Sequence, residues 1–166
     1  MPREISLETI RDAEPAVYTV ARRTPLVTFD PLTPNGRGNA DPATRIYLKL
    51  ESLQTIGSFK IRGAARYFPG WQASFVDGCG GKSVIPTMWP LLRDAVAASI
   101  VVSLDEIKQA VRRVATGARV IAKGAGACAV AAALSGRAGS GTIVAVVSGV
   151  NIDRATFARI ITEGDP

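Results

Sequence analysis

The spacing of apolar residues divides the first third of the chain into a helix, a loop and a strand. Residues 6–20 predict an amphipathic helix that Pro15 interrupts. Prolines and glycines crowd residues 31–42 and predict a loop. Residues 46–50 alternate apolar and polar side chains, which predicts a strand.

The remaining residues repeat an order of strand and then helix. Residues 84–98 predict a helix with prolines near its start, and residues 100–102 a short buried strand. Ser103 and Glu106 have the spacing of a capping box, and the apolar residues after them recur on one helical face. Further strands are predicted at 120–122 and 142–147, and helices at 124–134 and 156–161. This order predicts an α/β fold with a mostly parallel sheet and helices on both faces.

Length and composition agree with one α/β domain. The 166 residues are 47% hydrophobic, include 16 glycines and contain only 6% aromatics, so close contacts between helices and sheet are expected. The first residues lack the pattern of a signal peptide, and the longest apolar run, 125–134, is too short to span a bilayer. We therefore expect a cytoplasmic protein that does not bind membranes.

Charge and the absence of histidine narrow the chemistry. The net charge of +6 favours an anionic partner, but the basic residues are scattered, so we expect no nucleic-acid binding. Without histidine, Ser-His and Cys-His nucleophilic catalysis are excluded. Cys79 and Cys128 are the only cysteines; they are expected to be reduced and make a poor zinc site. Acid-base chemistry would fall to a lysine or a carboxylate.

Lys60 is the candidate for that chemistry. It follows Gly57 and Ser58, where Ser58 is a possible helix N-cap, and it lies just beyond the carboxyl end of the strand predicted at 46–50. In the first turn of a helix, the positive end of the helix dipole lowers the pKa of an amine, as a Schiff-base lysine needs. Its spacing alone favours the simpler interpretation that Lys60 is one of many surface lysines.

Several motifs in a fixed order resemble the serine/threonine dehydratases that depend on pyridoxal phosphate, a group that includes serine racemase. These motifs are Arg-Thr-Pro-Leu at 23–26, the segment 47–64 that contains Gly-Ser-Phe-Lys, Ser-Leu-Asp-Glu-Ile at 103–107, Gly-Ala-Gly at 124–126 and Ser-Gly-Val-Asn-Ile-Asp at 148–153. The resemblance implies the large domain of a fold-type II enzyme. It also implies deamination of a small β-hydroxy amino acid to a 2-oxo acid and ammonia.

The resemblance assigns roles to four residues. Lys60 matches the Schiff-base lysine, and Phe59 matches the residue that packs near the cofactor ring. Ser148 matches the serine that hydrogen-bonds the pyridine nitrogen, and Gly78 a glycine whose backbone approaches the cofactor. Without the resemblance, Phe59 would be read as a core phenylalanine, Ser148 as a serine that closes a strand, and Gly78 as a turn glycine.

The chain also departs from this family. The small domain and the glycine-rich phosphate loop are missing, so residues 1–166 predict a single truncated domain with its junction near 68–75. Lys123 stands where the family usually has a glutamate, and Gly149-Val150 replaces a pair of glycines. The cluster at 78–83 lacks the spacing of a nucleotide-binding loop and predicts a turn.

Two hypotheses follow. The first is a pyridoxal-phosphate lyase of the serine/threonine dehydratase type, whose activity the missing parts weaken or abolish. The second is a cofactor-free remnant that serves as a binding or oligomerisation module or has acquired another activity. Removal of a domain exposes apolar surface, so we expect a homo-oligomer in either case.

Overall fold

The computed structural model describes residues 7–30, 41, 43–59, 75–76, 93 and 96–163. These residues form an α/β arrangement of helices around a small sheet. Its elements are α1 (Leu7–Val17), β1 (Leu26–Phe29), β2 (Arg45–Lys49), a 3-10 turn (Glu51–Leu53), α2 (Leu104–Arg113), a π-helical turn (Val114–Ala118), α3 (Gly124–Leu134), β3 (Thr142–Val146) and α4 (Arg154–Thr162).

The sheet has the order β1-β2-β3 and is mixed. β1 pairs with β2 antiparallel, with Leu26 opposite Lys49. β2 pairs with β3 in parallel, with Ile46 opposite Ile143 and Leu48 opposite Ala145. The α/β class is confirmed, and the parallel pair is the part of the sheet on which the candidate site is built. A mostly parallel sheet with helices on both faces stays a prediction.

The core lies between one face of the sheet and the helices. Leu48 is fully buried, and Ile46 and Ala145 beside it are nearly so. α3 packs on both β3 and α2, and its alanines allow the helix backbone to approach the sheet closely. Burial of one leucine such as Leu48 contributes roughly 1.5–3 kcal/mol. The other side chains in this core include Phe29, Ile107, Val111, Val114, Val130, Val147 and Ile160.

Helix α2 begins as the sequence predicts. The hydroxyl of Ser103 accepts a hydrogen bond from the backbone N–H of Glu106 (3.2 Å), and the Glu106 carboxylate accepts one from the backbone N–H of Ser103 (2.6 Å). Arg137 also donates to Glu106, at 2.6 Å. The hydrogen bond from Ser103 and then the one from Arg137 lower the pKa of Glu106. This capping box therefore also ties α2 to the turn that follows α3.

Other predictions along the chain have mixed outcomes. The helix at 124–134 and the strand before Ser148 are confirmed, and the terminal helix begins slightly earlier, because Asp153 caps it through the N–H of Thr156. Pro15 does not interrupt α1, which continues to Val17. Of the helix predicted at 84–98, Arg93 is helical and residues 96–98 have no regular structure, so its predicted end is wrong; the other residues lie outside the described ones.

Two predicted strands are wrong, and one strand was missed. Residues 100–102 and 120–122 have no regular structure, and Val101 is 83% exposed. Short β-branched runs become strands only when a neighbouring strand satisfies their backbone groups, and within the described residues the sheet is formed by β1, β2 and β3 alone. β1 was missed although Leu-Val-Thr-Phe has strand-forming residues between prolines.

No helix within the described residues is long and apolar enough to cross a membrane.

The lowered pKa of Glu106 predicts an acid-sensitive contribution to stability. A carboxylate with a depressed pKa stabilises the fold above its unfolded pKa, near 4.5, and loses this effect as the pH falls through the folded value. Glu106→Ala should unfold at lower urea concentration than wild type at neutral pH, and the two midpoints should converge in acid. Asp105→Ala, in the same turn, is the control. If the urea midpoints of wild type and Glu106→Ala differ by the same amount at neutral and at acid pH, the prediction is contradicted.

Candidate functional site

The candidate site lies at the carboxyl ends of β2 and β3. The parallel pairing continues past the strands, because Val147 donates its backbone N–H to Lys49 O (2.9 Å) and Ser52 donates to Val147 O (2.9 Å). The chain after β2 therefore stays beside the chain after β3. In open α/β sheets, this edge is where ligands usually bind.

A buried carboxylate fixes the turn that follows β2. Glu51 is only 4% exposed, and its oxygens accept hydrogen bonds from the Thr24 hydroxyl (2.6 Å) and the Gln54 amide (3.2 Å). The ammonium of Lys49 lies 3.8 Å from Glu51 and donates to Thr24 O. Gln54 also exchanges two hydrogen bonds of 2.8 Å with the backbone of Arg22. The segments 22–24 and 51–54 are thereby held together.

The segment that leads to Lys60 pairs with the segment that contains Ser148. Ser58 and Gly149 form an antiparallel bridge. Phe59 donates its N–H to Ser148 O (3.0 Å), and Val150 donates to Gly57 O (2.9 Å). The residue immediately before Lys60 is thus hydrogen-bonded to Ser148, which is far away in sequence.

Glycines permit this close approach. Gly57 has φ +68, and a Cβ there would lie 2.7 Å from Val150 Cγ1 and 2.8 Å from Asn151 Oδ1. A Cβ on Gly126, in α3, would lie 2.6 Å from Gly149 O. Contacts under 3.0 Å require something to shift. Three backbone segments therefore meet at Gly149 only because glycine occupies these positions.

The start of α3 completes the described part of the site. Lys123 donates its backbone N–H to Gly149 O (3.0 Å), and its Cε and Cδ lie 3.6 and 3.7 Å from the position of a Cβ on Gly149. A Cβ on Gly124 would lie 2.5 Å from Phe75 O and 3.0 Å from Val76 Cγ2. The chain just before Gly78 therefore contacts the same helix end.

The predicted site residues are only partly described. Ser148 is half-buried at the end of β3, and Phe59, 47% exposed, lies beside it through the backbone hydrogen bond. Lys60 and Gly78 lie outside the described residues. Their roles, and the helix N-cap predicted at Ser58, stay predictions.

The Ser148 hydroxyl fits the ring end of pyridoxal phosphate. It forms no hydrogen bond with the residues that the structure describes, so it can serve a ring nitrogen. The hydroxyl of Ser52 is buried without a hydrogen-bond partner there and is too enclosed to reach a ligand. The site feature that sequence reasoning missed is the buried pair Glu51 and Gln54, which fixes the turn after β2.

Among the described residues, no group of three or more His, Cys, Asp or Glu side chains could hold a metal ion. The thiol of Cys128 donates a hydrogen bond to Gly124 O, one turn earlier in α3 (3.5 Å).

The close contact at Gly126 predicts the sign of a mutational effect. Helix propensity alone would make Gly126→Ala stabilising by about 1 kcal/mol. The contact with Gly149 O instead predicts overpacking, which typically costs about 1–3 kcal/mol. We therefore expect Gly126→Ala to unfold at a lower urea concentration than wild type. Ala129→Gly, at an exposed position of the same helix, measures propensity alone. A more stable Gly126→Ala variant would refute the close approach.

Comparison with known proteins places the chain in a family. Residues 66–149 match the family described as pyridoxal-phosphate dependent enzyme. The chain is 42% identical over 62 residues to L-threonine dehydratase catabolic TdcB of Staphylococcus aureus strain N315. These 62 residues are 37% of this chain and 16% of that protein. With the same enzyme of strain USA300 it is 31% identical over 97 residues, 55% of this chain and 28% of that protein.

The matched regions therefore span less than a third of these relatives' own length. The family match begins after Lys60, includes Lys123, and ends at Ser148 and Gly149 of the strand-end site. Because this match takes in about half of the residues, the chain belongs to the family of pyridoxal-phosphate dependent enzymes.

Proposed function

We propose that this chain is a pyridoxal-phosphate lyase of the serine/threonine dehydratase type. The observation that supports it best is the hydrogen bond from Phe59 N–H to Ser148 O (3.0 Å). It brings the residue before the expected Schiff-base lysine next to the expected partner of the ring nitrogen. The similarity to L-threonine dehydratases, from whose family these expected roles come, is the second support.

Each of the four site residues has a role in this proposal. Lys60 holds the cofactor covalently and moves a proton at the α-carbon of the substrate. The hydroxyl of Ser148 hydrogen-bonds the ring nitrogen without giving it a full proton. Phe59 covers one side of the ring, and the backbone at Gly78 borders the cofactor.

The cofactor supplies electron withdrawal when bound, so that an amino acid loses its α-proton and then its β-hydroxyl. The proposed substrate is a small β-hydroxy amino acid, and the products are a 2-oxo acid and ammonia. The proposed architecture is a single truncated large domain, 1–166, with a mostly parallel sheet, helices on both faces and a junction near 68–75. We further propose a cytoplasmic location.

The covalent link to Lys60 gives the sharpest test. Pyridoxal phosphate is added to the purified protein, the product is reduced with borohydride, and the modified peptide is located by mass spectrometry. We expect an adduct at Lys60 that disappears in Lys60→Ala and persists in Lys108→Ala, a remote lysine that pairs with Glu163 at 3.6 Å. Ser148→Ala should weaken binding by about 0.5–1.5 kcal/mol, the usual contribution of one hydrogen bond.

The outcomes separate cofactor binding from catalysis. An adduct that is absent from Lys60, or unchanged in Lys60→Ala, would contradict the proposal. An adduct at Lys60 without release of 2-oxo acid from serine or threonine would support cofactor binding and contradict the proposed lyase activity.

A second candidate function is a cofactor-free binding or oligomerisation module, and the outer face of the sheet favours it. By strand register, this face carries Leu26, Tyr47, Val144 and Val146, with Arg45 and Lys49 beside them. Leu26, Val144 and Val146 are 55%, 53% and 41% exposed. Exposed apolar surface of this kind is typical of association sites, and the proposed partner is a second copy of this chain.

If two copies of the chain associate through this outer face, light scattering after gel filtration should give a mass above that of the monomer. The double change Val144→Lys and Val146→Lys should give a monomer, since it places charges in the contact. Ala129→Lys, on the exposed side of α3, should leave the mass unchanged. If the double variant keeps the wild-type mass, this face is not the contact.

A further inference from the structure

The side chain of Asn151 ties the chain before Lys60 to the chain after β3. Its Nδ2 donates a hydrogen bond to Ile56 O (3.2 Å), across 95 positions of the sequence. The next carbonyl oxygen, Gly57 O, accepts a hydrogen bond from the backbone N–H of Val150 (2.9 Å). Two consecutive carbonyls of one segment are therefore held by two consecutive residues of the other.

Gly57 is the residue at which the segment before Lys60 could most easily change its course. Glycine adopts positive and negative φ about equally well, so its conformation at φ +68 is fixed by contacts. The peptide group that joins Ile56 to Gly57 is held on both sides, since its N–H donates to Gln54 O (2.7 Å) and its carbonyl accepts from Asn151. The Oδ1 of Asn151 also lies 2.8 Å from the position of a Cβ on Gly57. The side-chain amide thus packs on Gly57 and opposes rotation of this peptide group.

The hydrogen bond from Asn151 is exposed, so it contributes more to the course of the chain than to stability. When such a bond breaks, water satisfies both of its groups, and the net loss of stability is small. Rotation of the peptide group before Gly57 would, however, move the residues that follow it. Among these is Phe59, whose N–H donates to Ser148 O (3.0 Å).

We propose that Asn151 is a positioning residue, which holds the chain at Gly57 so that the lysine of the proposed function faces the Ser148 end of the site. This inference rests on the proposed function. Asn151 acts through the backbone before Lys60 and not by contact with cofactor or substrate. A lysine whose backbone is held in place loses less conformational freedom when it links to the cofactor.

Two variants remove the donor of Asn151 in different ways. Asn151→Leu has a similar shape and no charge, whereas Asn151→Asp keeps Oδ1 and adds a negative charge. The control is Thr116→Val, which removes a hydrogen bond of 3.0 Å from an exposed side chain to Arg112 O, in the turn after α2. Asn151→Ala replaces Asn151→Leu if that variant does not fold by circular dichroism.

Three measurements are made on each variant: the urea midpoint, the affinity for pyridoxal phosphate from absorbance, and the position of the borohydride-trapped adduct from mass spectrometry. Both Asn151 variants should bind pyridoxal phosphate roughly three- to tenfold more weakly, the ratio that corresponds to one hydrogen bond. A larger share of their adduct should fall on lysines other than Lys60. Thr116→Val should keep the affinity and the adduct of the wild type, with a urea midpoint close to that of Asn151→Leu.

Three outcomes would overturn the inference, and they differ from one another. If Asn151→Leu keeps the wild-type affinity and the adduct at Lys60, Asn151 has no positioning role and the proposed function stands. If only Asn151→Asp binds more weakly, the added charge and not the lost donor is the cause. If the wild type forms no adduct at Lys60, the proposed function fails and this inference fails with it.

Discussion

The buried carboxylate of Glu51 is the constraint on which the candidate site depends. The side chain of Glu51 is only 4% exposed. A carboxylate so buried is tolerated only if its oxygens are hydrogen-bonded or paired, because burial removes the water that would otherwise solvate it. Its partners come from two separate segments, with Thr24 before β1 and Gln54 after the 3-10 turn. Satisfying one carboxylate therefore sets the path of the chain from β2 toward Gly57.

From that turn onward, main-chain hydrogen bonds between distant segments hold the site, together with one from the Asn151 side chain to Ile56 O (3.2 Å). The approach of Gly57 to Val150, and of Gly126 to Gly149, leaves no room for a Cβ. The bridge between Ser58 and Gly149 then brings the Lys60 side of the chain to the end of β3. A site of this kind is precise because its position is fixed by main-chain hydrogen bonds, which lose no side-chain entropy on ordering.

The electrostatic character of the site follows from the same geometry. Lys49 is drawn toward Glu51, so its charge is compensated within the turn. Lys123 lies at the start of α3, where the helix dipole adds to its charge. The strand ends thus lie beside the positive end of α3, with the hydroxyl of Ser148 at the end of β3.

The chain spans only part of the length of its relatives, and one face of its strand β3 is apolar and exposed. The matched regions cover 16% and 28% of the L-threonine dehydratases, whose remaining residues have no counterpart in these matches. Val144 and Val146 alternate with the core-facing residues of β3 and are exposed. A strand whose two faces are both apolar is typical of a sheet that is covered on both sides.

The sequence by itself determined the local structure and the family. Ser103 and Glu106 specified the start of α2, and the small residues of 124–134 specified α3, because capping and helix spacing depend on near neighbours. Only the tertiary structure decided which apolar runs became strands. Residues 100–102 and 120–122 have strand-forming residues but no strand partner in the described part of the chain, whereas Leu26–Phe29 has one in β2. The meeting of Phe59, Ser148 and Lys123 was likewise decided in three dimensions, because backbone hydrogen bonds between distant segments leave no local signal in the sequence.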